Sequence, residues 1–272
     1  MCGIVGIYLK TKKFEKNLGK MLSGMLNNME SRGPDSAGFA IYKEENEKNY
    51  KYSLCLNELN FNDFKKEISN KLSNSQINQF SDHVILKTSE KPNMVINIIN
   101  SDFPEVSLVG YGKSIEIFKQ VGKPKDVVKK FNLESFSGTH GIGHTRMATE
   151  SAITTDGSHP YSTGEDECLV HNGSLSNHNN LRRELTKKGN IFNSENDTEV
   201  AAGYVSNSLS NNKSLKDTLI SGLKDLDGFY TFITGTKKGF AVVRDEIACK
   251  PAVIAETENY VAIASEFQAM AH

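Results

Sequence analysis

Cys2 follows directly on Met1, and this pairing is the first place in the chain where chemistry suggests itself. An initiator methionine is readily trimmed when the next residue is small, and trimming would leave Cys2 with a free α-amine. Such an amine has a pKa of roughly 7.7–8.0, against about 10.4 for lysine. At neutral pH it can take a proton from the thiol beside it, one way of activating a nucleophile. Taken alone, Cys2 reads more readily as a buried structural cysteine in a first strand. Two other groupings carry less. His140, His144, His159 and Asp156 invite a metal site, but the His-x3-His spacing falls in a Gly- and Thr-rich loop, so no metal is expected. Gly110-Tyr111-Gly112-Lys113-Ser114 has the look of a phosphate loop, yet the motif needs glycine where Ser107 stands.

Five motifs change the weight of Cys2. Cys2-Gly3-Ile4-Val5-Gly6, Arg32-Gly33-Pro34-Asp35-Ser36-Ala37-Gly38, Gly143-His144-Thr145-Arg146-Met147-Ala148-Thr149, His171-Asn172-Gly173 and Asn196-Asp197-Thr198-Glu199 occur in one order. Together they resemble the glutaminase domain of class II glutamine amidotransferases. Arg244-Asp245, Lys250-Pro251 and Ser265-Glu266 resemble that family's closing strands. The resemblance spans the chain except for residues 43–137, which read as an insertion in a single domain covering 1–272.

The resemblance implies an α+β fold, a four-layer αββα sandwich of the N-terminal-nucleophile type. It implies that Cys2 attacks the side-chain amide of glutamine, releasing ammonia and leaving a thioester. Asn172 and Gly173 would donate to the oxyanion, Arg146 would pair with the substrate carboxylate in two places, and Asp197 would accept from the α-ammonium. Thr149 would add a hydrogen bond. Asp197 also suits the N-cap of a helix starting at Thr198, and Asn172-Gly173 alone would suggest a turn. Arg32 is expected to hold backbone and His144 to support the Arg146 loop. After Thr149 this chain has Glu150-Ser151 where sugar-specific relatives have His-Gly, so a sugar-phosphate acceptor is disfavoured. The long insertion is similar to the separate amidotransferase subunit of split glutamate synthases and N-methylglutamate synthase-like complexes. An ammonia-accepting partner synthase, FMN-containing, is the expected consumer, and no cofactor is expected on this chain. The alternatives are another N-terminal-nucleophile amidohydrolase, or a non-catalytic regulatory subunit if Met1 is retained.

The elements that must position these residues follow from periodicity. Leu18, Met21, Leu22, Met25, Leu26 and Met29 form one helical stripe, stopped by the loop containing Pro34. Strands are expected over 2–9, 38–42, 84–87, 94–99 and 106–111, and a helix over 125–131. Residues 43–81 suit a loop or a peripheral hairpin and helix. A buried strand at 168–170 leads into His171. Helices follow over 176–188, 200–209 and 215–223, with Ser214 able to cap the last; four strands follow at 229–234, 240–244, 252–255 and 261–265. The net charge of −1, without clustered Lys and Arg, disfavours nucleic acid. No leader or apolar run of about 20 residues is present, so the expectation is a cytoplasmic protein with reduced cysteines.

Overall fold

The computed structural model describes residues 1–45, 47–148 and 152–271. Two antiparallel sheets pack face to face. The first has six strands in the order β13 (Val253–Glu256), β14 (Tyr260–Ala264), β1 (Gly3–Leu9), β8 (His140–Arg146), β2 (Ser36–Tyr42) and β7 (Ile115–Val121). The second runs β12 (Gly239–Arg244), β11 (Gly228–Thr236), β10 (Glu167–Leu175) and β9 (Tyr161–Gly164). Ile4, Ala40 and Ile142 of the first sheet meet Cys168, Val170 and Ile233 of the second in a dry layer. Strands β1, β2 and β8 are therefore buried along almost their whole length, as strands covered on each side must be, although β8 carries His140, His144, Thr145 and Arg146.

Helices close both outer faces. α1 (Leu18–Asn27) buries Leu18, Leu22, Met25 and Leu26 against the first sheet, as the stripe predicts, and α4 (Pro124–Lys130) lies beside it. α5 (His178–Lys187), α6 (Asp197–Ser210) and α7 (Leu215–Asp225) cover the second sheet around Leu169, Val205, Tyr230 and Phe232. Ser214 caps α7 by accepting from Asp217 N. The order helix, sheet, sheet, helix is the expected four-layer αββα sandwich. Among the described residues no helix is long and apolar enough to cross a membrane.

The stretch 43–137 divides. A separate sheet of β4 (Gln76–Phe80), β5 (His83–Thr88), β3 (Tyr50–Cys55) and β6 (Ser107–Gly112) packs on α2 (Phe61–Lys71) and α3 (Pro92–Asp102) around its own core. The chain then returns to the six-stranded sheet with β7. Residues 94–99, expected as a strand, lie inside α3. Their β-branched content suits a strand, but Val95 and Ile99 are the residues buried, at helical i, i+4 spacing, and Pro92 opens the first turn.

The phosphate-loop lookalike has a structural explanation. The turn from β6 to β7 aims the N–H groups of Lys113, Ser114 and Ile115 at one anion, which is the buried carboxylate of Asp166 (3.1, 2.7 and 3.0 Å). Gly112 permits this approach, since a Cβ there would sit 2.1 Å from Asp166 Oδ1. Asp166→Ala would strand those donors, at 1–3 kcal/mol for each buried unpaired group. We expect a loss of at least about 3 kcal/mol, read as a lower urea midpoint; an unchanged midpoint would show that the turn holds itself.

Candidate active site

The site forms where β1 begins, β8 ends, β10 nears its end and α6 starts. Gly3 pairs with Thr145 across β1 and β8, which brings Cys2 beside Arg146. Cys2, Arg146, Gly173 and Asp197 line one cleft, with Met147 and Glu195 on its rim. Four of the six residues expected at the site are thus brought together. Asn172 is the next residue along β10 and is buried behind the cleft wall. Thr149, the sixth, lies outside the described residues, as do Glu150 and Ser151.

Asn172-Gly173 is not a turn. Asn172 pairs with Thr231 and Gly173 with Tyr230 as β10 continues along β11. Gly173 has φ +149°, and a Cβ would lie 2.0 Å from Phe229 O, so no other residue fits without moving β11. The Nδ2 of Asn172 is buried without a hydrogen-bond partner. A buried amide donor normally has one.

Cys2 is held through its peptide. Arg32 Nε donates to Cys2 O at 3.0 Å, and its Nη1 pairs with Glu266. Arg32 therefore holds backbone, as expected. Asp35 fixes the facing loop, its N–H donating to Arg146 O (3.0 Å) and its Oδ2 accepting from Ala148 N (2.8 Å). Ser265 exchanges two bonds with the Ile4 backbone. The sequence motifs pointed at Arg32, Asp35, Ser265 and Glu266 without giving the last three a role. Burial pushes the Cys2 thiol up, opposed by its contact with Met147 O at 3.8 Å and by the positive charges of the N-terminus and Arg146.

Arg146 is buried and donates from Nη1 to Ala152 O (3.0 Å). His144 does not support this loop. Its Nε2 reaches across the sandwich to His171 O at 2.8 Å, because β8 turns that face toward the second sheet. The cap of α6 is likewise Asn196, accepting from Thr198 N at 2.9 Å, rather than Asp197. Asp197 is the first helical residue, and its Oδ2 accepts from Leu175 N at 2.8 Å. Burial pushes its carboxyl up, but the neighbouring His171 and the Leu175 N–H outweigh this and lower it from 3.8 to about 2. A carboxyl lowered in the folded state adds stability that is present above its unfolded pKa and lost as pH falls through the folded one. The window is therefore pH 4 to 2, worth roughly 2 kcal/mol at the shift given. Asp197→Asn should flatten the fall in urea midpoint between those values; an equally steep fall would mean that other carboxyls carry it.

The histidines considered for metal do not converge. His140, which like His144 lies on strand β8 rather than in the expected loop, donates from Nε2 to Thr236 O, shares a hydrogen bond with Thr139 Oγ1 through Nδ1, and stacks on Tyr42 at 4.3 Å. His144 and His159 stack on one another. Among the described residues one trio, Cys55, Asp82 and His83, has ligand atoms within 4.8 Å of each other. Its carboxylate already pairs with Lys130 at 2.9 Å and with His83 at 3.0 Å.

With this geometry in hand, the relatives are informative. The glutamine amidotransferase domain family matches residues 144–272. The chain is 50% identical over 273 residues to the glutamine amidotransferase-like protein GlxB of Rhizobium meliloti (strain 1021), covering 99% of this chain and 91% of that protein. It is 34% identical to a putative glutamine amidotransferase of Methanothermobacter thermautotrophicus, with coverages of 98% and 92%. In fold it is similar to the glutamine phosphoribosylpyrophosphate amidotransferase of B. subtilis, at TM-score 0.64 and 20% identity, spanning 99% of this chain but 43% of that one. Fold and site define an amidotransferase domain of the N-terminal-nucleophile type. The chain belongs to the class II glutamine amidotransferase family.

Proposed function

We propose that this chain is the glutaminase subunit of an amidotransferase, a single domain over 1–272 carrying the Tyr50–Gly112 module as an insertion. The observation that carries the reading is the shared cleft lined by Cys2, Arg146, Gly173 and Asp197, beside an unpaired Asn172 amide. Arg146 and Asp197 offer opposite charges, which suits a free amino acid and disfavours a blocked amide.

The reaction runs as follows. Once Met1 is removed, the Cys2 amine takes the thiol proton and the thiolate attacks the side-chain carbonyl carbon of glutamine. The oxyanion is met by Asn172 Nδ2–H and the Gly173 N–H, donors fixed before charge develops. Collapse breaks the C–N bond; the ammonium proton of Cys2 goes to the leaving nitrogen, and ammonia departs. Water, losing its proton to the same amine, then attacks the thioester, giving glutamate and the free thiol. While Met1 is present the Cys2 nitrogen is an amide and no such base exists. The ammonia is consumed by a partner synthase of glutamate-synthase type, FMN-containing, consistent with the length and position of the module.

Intact mass before and after 6-diazo-5-oxo-norleucine tests this reading. We expect loss of Met1 and one adduct on Cys2, blocked by glutamine. A retained Met1 with no adduct sinks it and favours the non-catalytic regulatory alternative.

A further inference from the structure

Behind Gly173 and Asp197 the cleft wall contains three histidines and a threonine that the reaction above does not use. His144, His159, His171 and Thr198 are each at most 3% exposed. His144 on β8 bonds to His171 O on β10, as described, and His159 stacks on it with 3.8 Å between ring centroids. The hydroxyl of Thr198, second residue of α6, lies 2.8 Å from His159 Nε2 and 2.9 Å from His171 Nδ1. It also lies 3.3 Å from Asp197 Oδ1.

One hydroxyl carries one proton and two lone pairs, and an ionised carboxylate only accepts. All three contacts are satisfied in one arrangement. Thr198 donates to Asp197 and receives from both rings. This puts hydrogens on His159 Nε2 and His171 Nδ1, while the carbonyl of His171 requires one on His144 Nε2. The neutral His171 ring then keeps a lone pair on Nε2, which is buried without a partner. That atom is 2.8 Å from where a Cβ on Gly173 would sit, so it backs directly onto the oxyanion strand.

We propose that Thr198 is a positioning residue, whose hydroxyl fixes the His171 tautomer and ties the strand carrying Asn172 and Gly173 to the carboxylate of Asp197. This rests on the glutaminase reading for its functional consequence, though not for the proton arrangement. Without the hydroxyl, His171 Nδ1 loses its partner and the Leu175 N–H is left to hold β10 to the Asp197 carboxylate, so the two halves of the site are fixed less closely to one another. A misplacement of about 1 Å typically costs on the order of 100-fold in rate.

Three measurements test it. In glutamine hydrolysis, Thr198→Val should lower kcat/KM by about 100-fold, with KM raised because Asp197 faces the substrate ammonium. Thr198→Ser, which restores the hydroxyl, should come within about 3-fold of the parent. Alkylation of Cys2 by iodoacetamide needs neither clamp and should not change in either variant. Nitrogen-15 histidine spectra of the parent protein with its imidazoles neutral should show His171 as the Nδ1–H tautomer. Parent-like kinetics for Thr198→Val, or His171 as the Nε2–H tautomer, overturns the proposal. If Thr198→Val does not fold, the serine variant and the parent spectra decide. If the parent protein does not hydrolyse glutamine, the glutaminase reading fails, and the spectra still decide the role of Thr198.

Discussion

Cys2→Ala is expected to abolish glutamine hydrolysis, a loss on the order of 10⁴-fold or more, as when other covalent nucleophiles are removed. Cys2 is half-buried at the edge of the cleft, and its thiol makes one long contact, to Met147 O. The fold should therefore tolerate the change to within about 0.5 kcal/mol. Its carbonyl, which Arg32 holds, is retained in the alanine variant, so the peptide stays in place. Hydrolysis rates and urea midpoints, measured together, check both halves. Activity persisting at a tenth of the parent level would mean that the thioester route is wrong, whatever the remaining residues do.

Asn172→Ala should act in opposite directions on rate and stability. Losing one oxyanion donor typically lowers kcat by about 100- to 1000-fold, with little effect on KM because the donor faces charge that develops after binding. Yet the Nδ2 of Asn172 is buried with no protein partner, and such a group costs about 1–3 kcal/mol. Removing it should leave stability unchanged or raise it, the trade expected where a site is organised for reaction rather than for folding. A variant that is both destabilised and fully active would assign Asn172 to the core instead. Gly173→Ala cannot serve in its place, because its Cβ would collide with Phe229 O and confound the two effects.

The sequence made the four layers legible for identifiable reasons. The Leu18–Met29 stripe gave α1 almost to the residue, and Ser214 marked the start of α7. Where β-branched residues dominate without alternation, the reading fails, as at α3, where burial of Val95 and Ile99 decides for a helix. β3, β4, β7, β8 and β9 were not expected as strands: β3, β4 and β9 lie in polar segments, with no residue of β4 buried, and the Gly-, His- and Thr-rich β8 reads locally as a loop. For the site, motif order located Cys2, Arg146, Asn172, Gly173 and Asp197. It did not reveal that Asn196 caps α6, that His144 reaches the second sheet, or that Thr198 joins two rings. Those roles depend on which faces of β8 and α6 meet β10, information held in long-range packing and absent from local spacing. Asp166 shows the same limit, as its three donors lie more than fifty positions away in the chain.

β1 lies between β14 and β8, and Ile4 is bonded to Ser265 across 261 positions. During synthesis β1 therefore waits for β8 until about half of the chain has been made, and for β14 until nearly all of it has. At 5–20 residues per second the β14 edge of β1 stays open for roughly 10–50 s. The proposed site waits as well, since Gly173, Asp197 and Glu266 are all made after β8. The two edges of β1 are thereby filled in an order set by how far along the chain each partner strand lies.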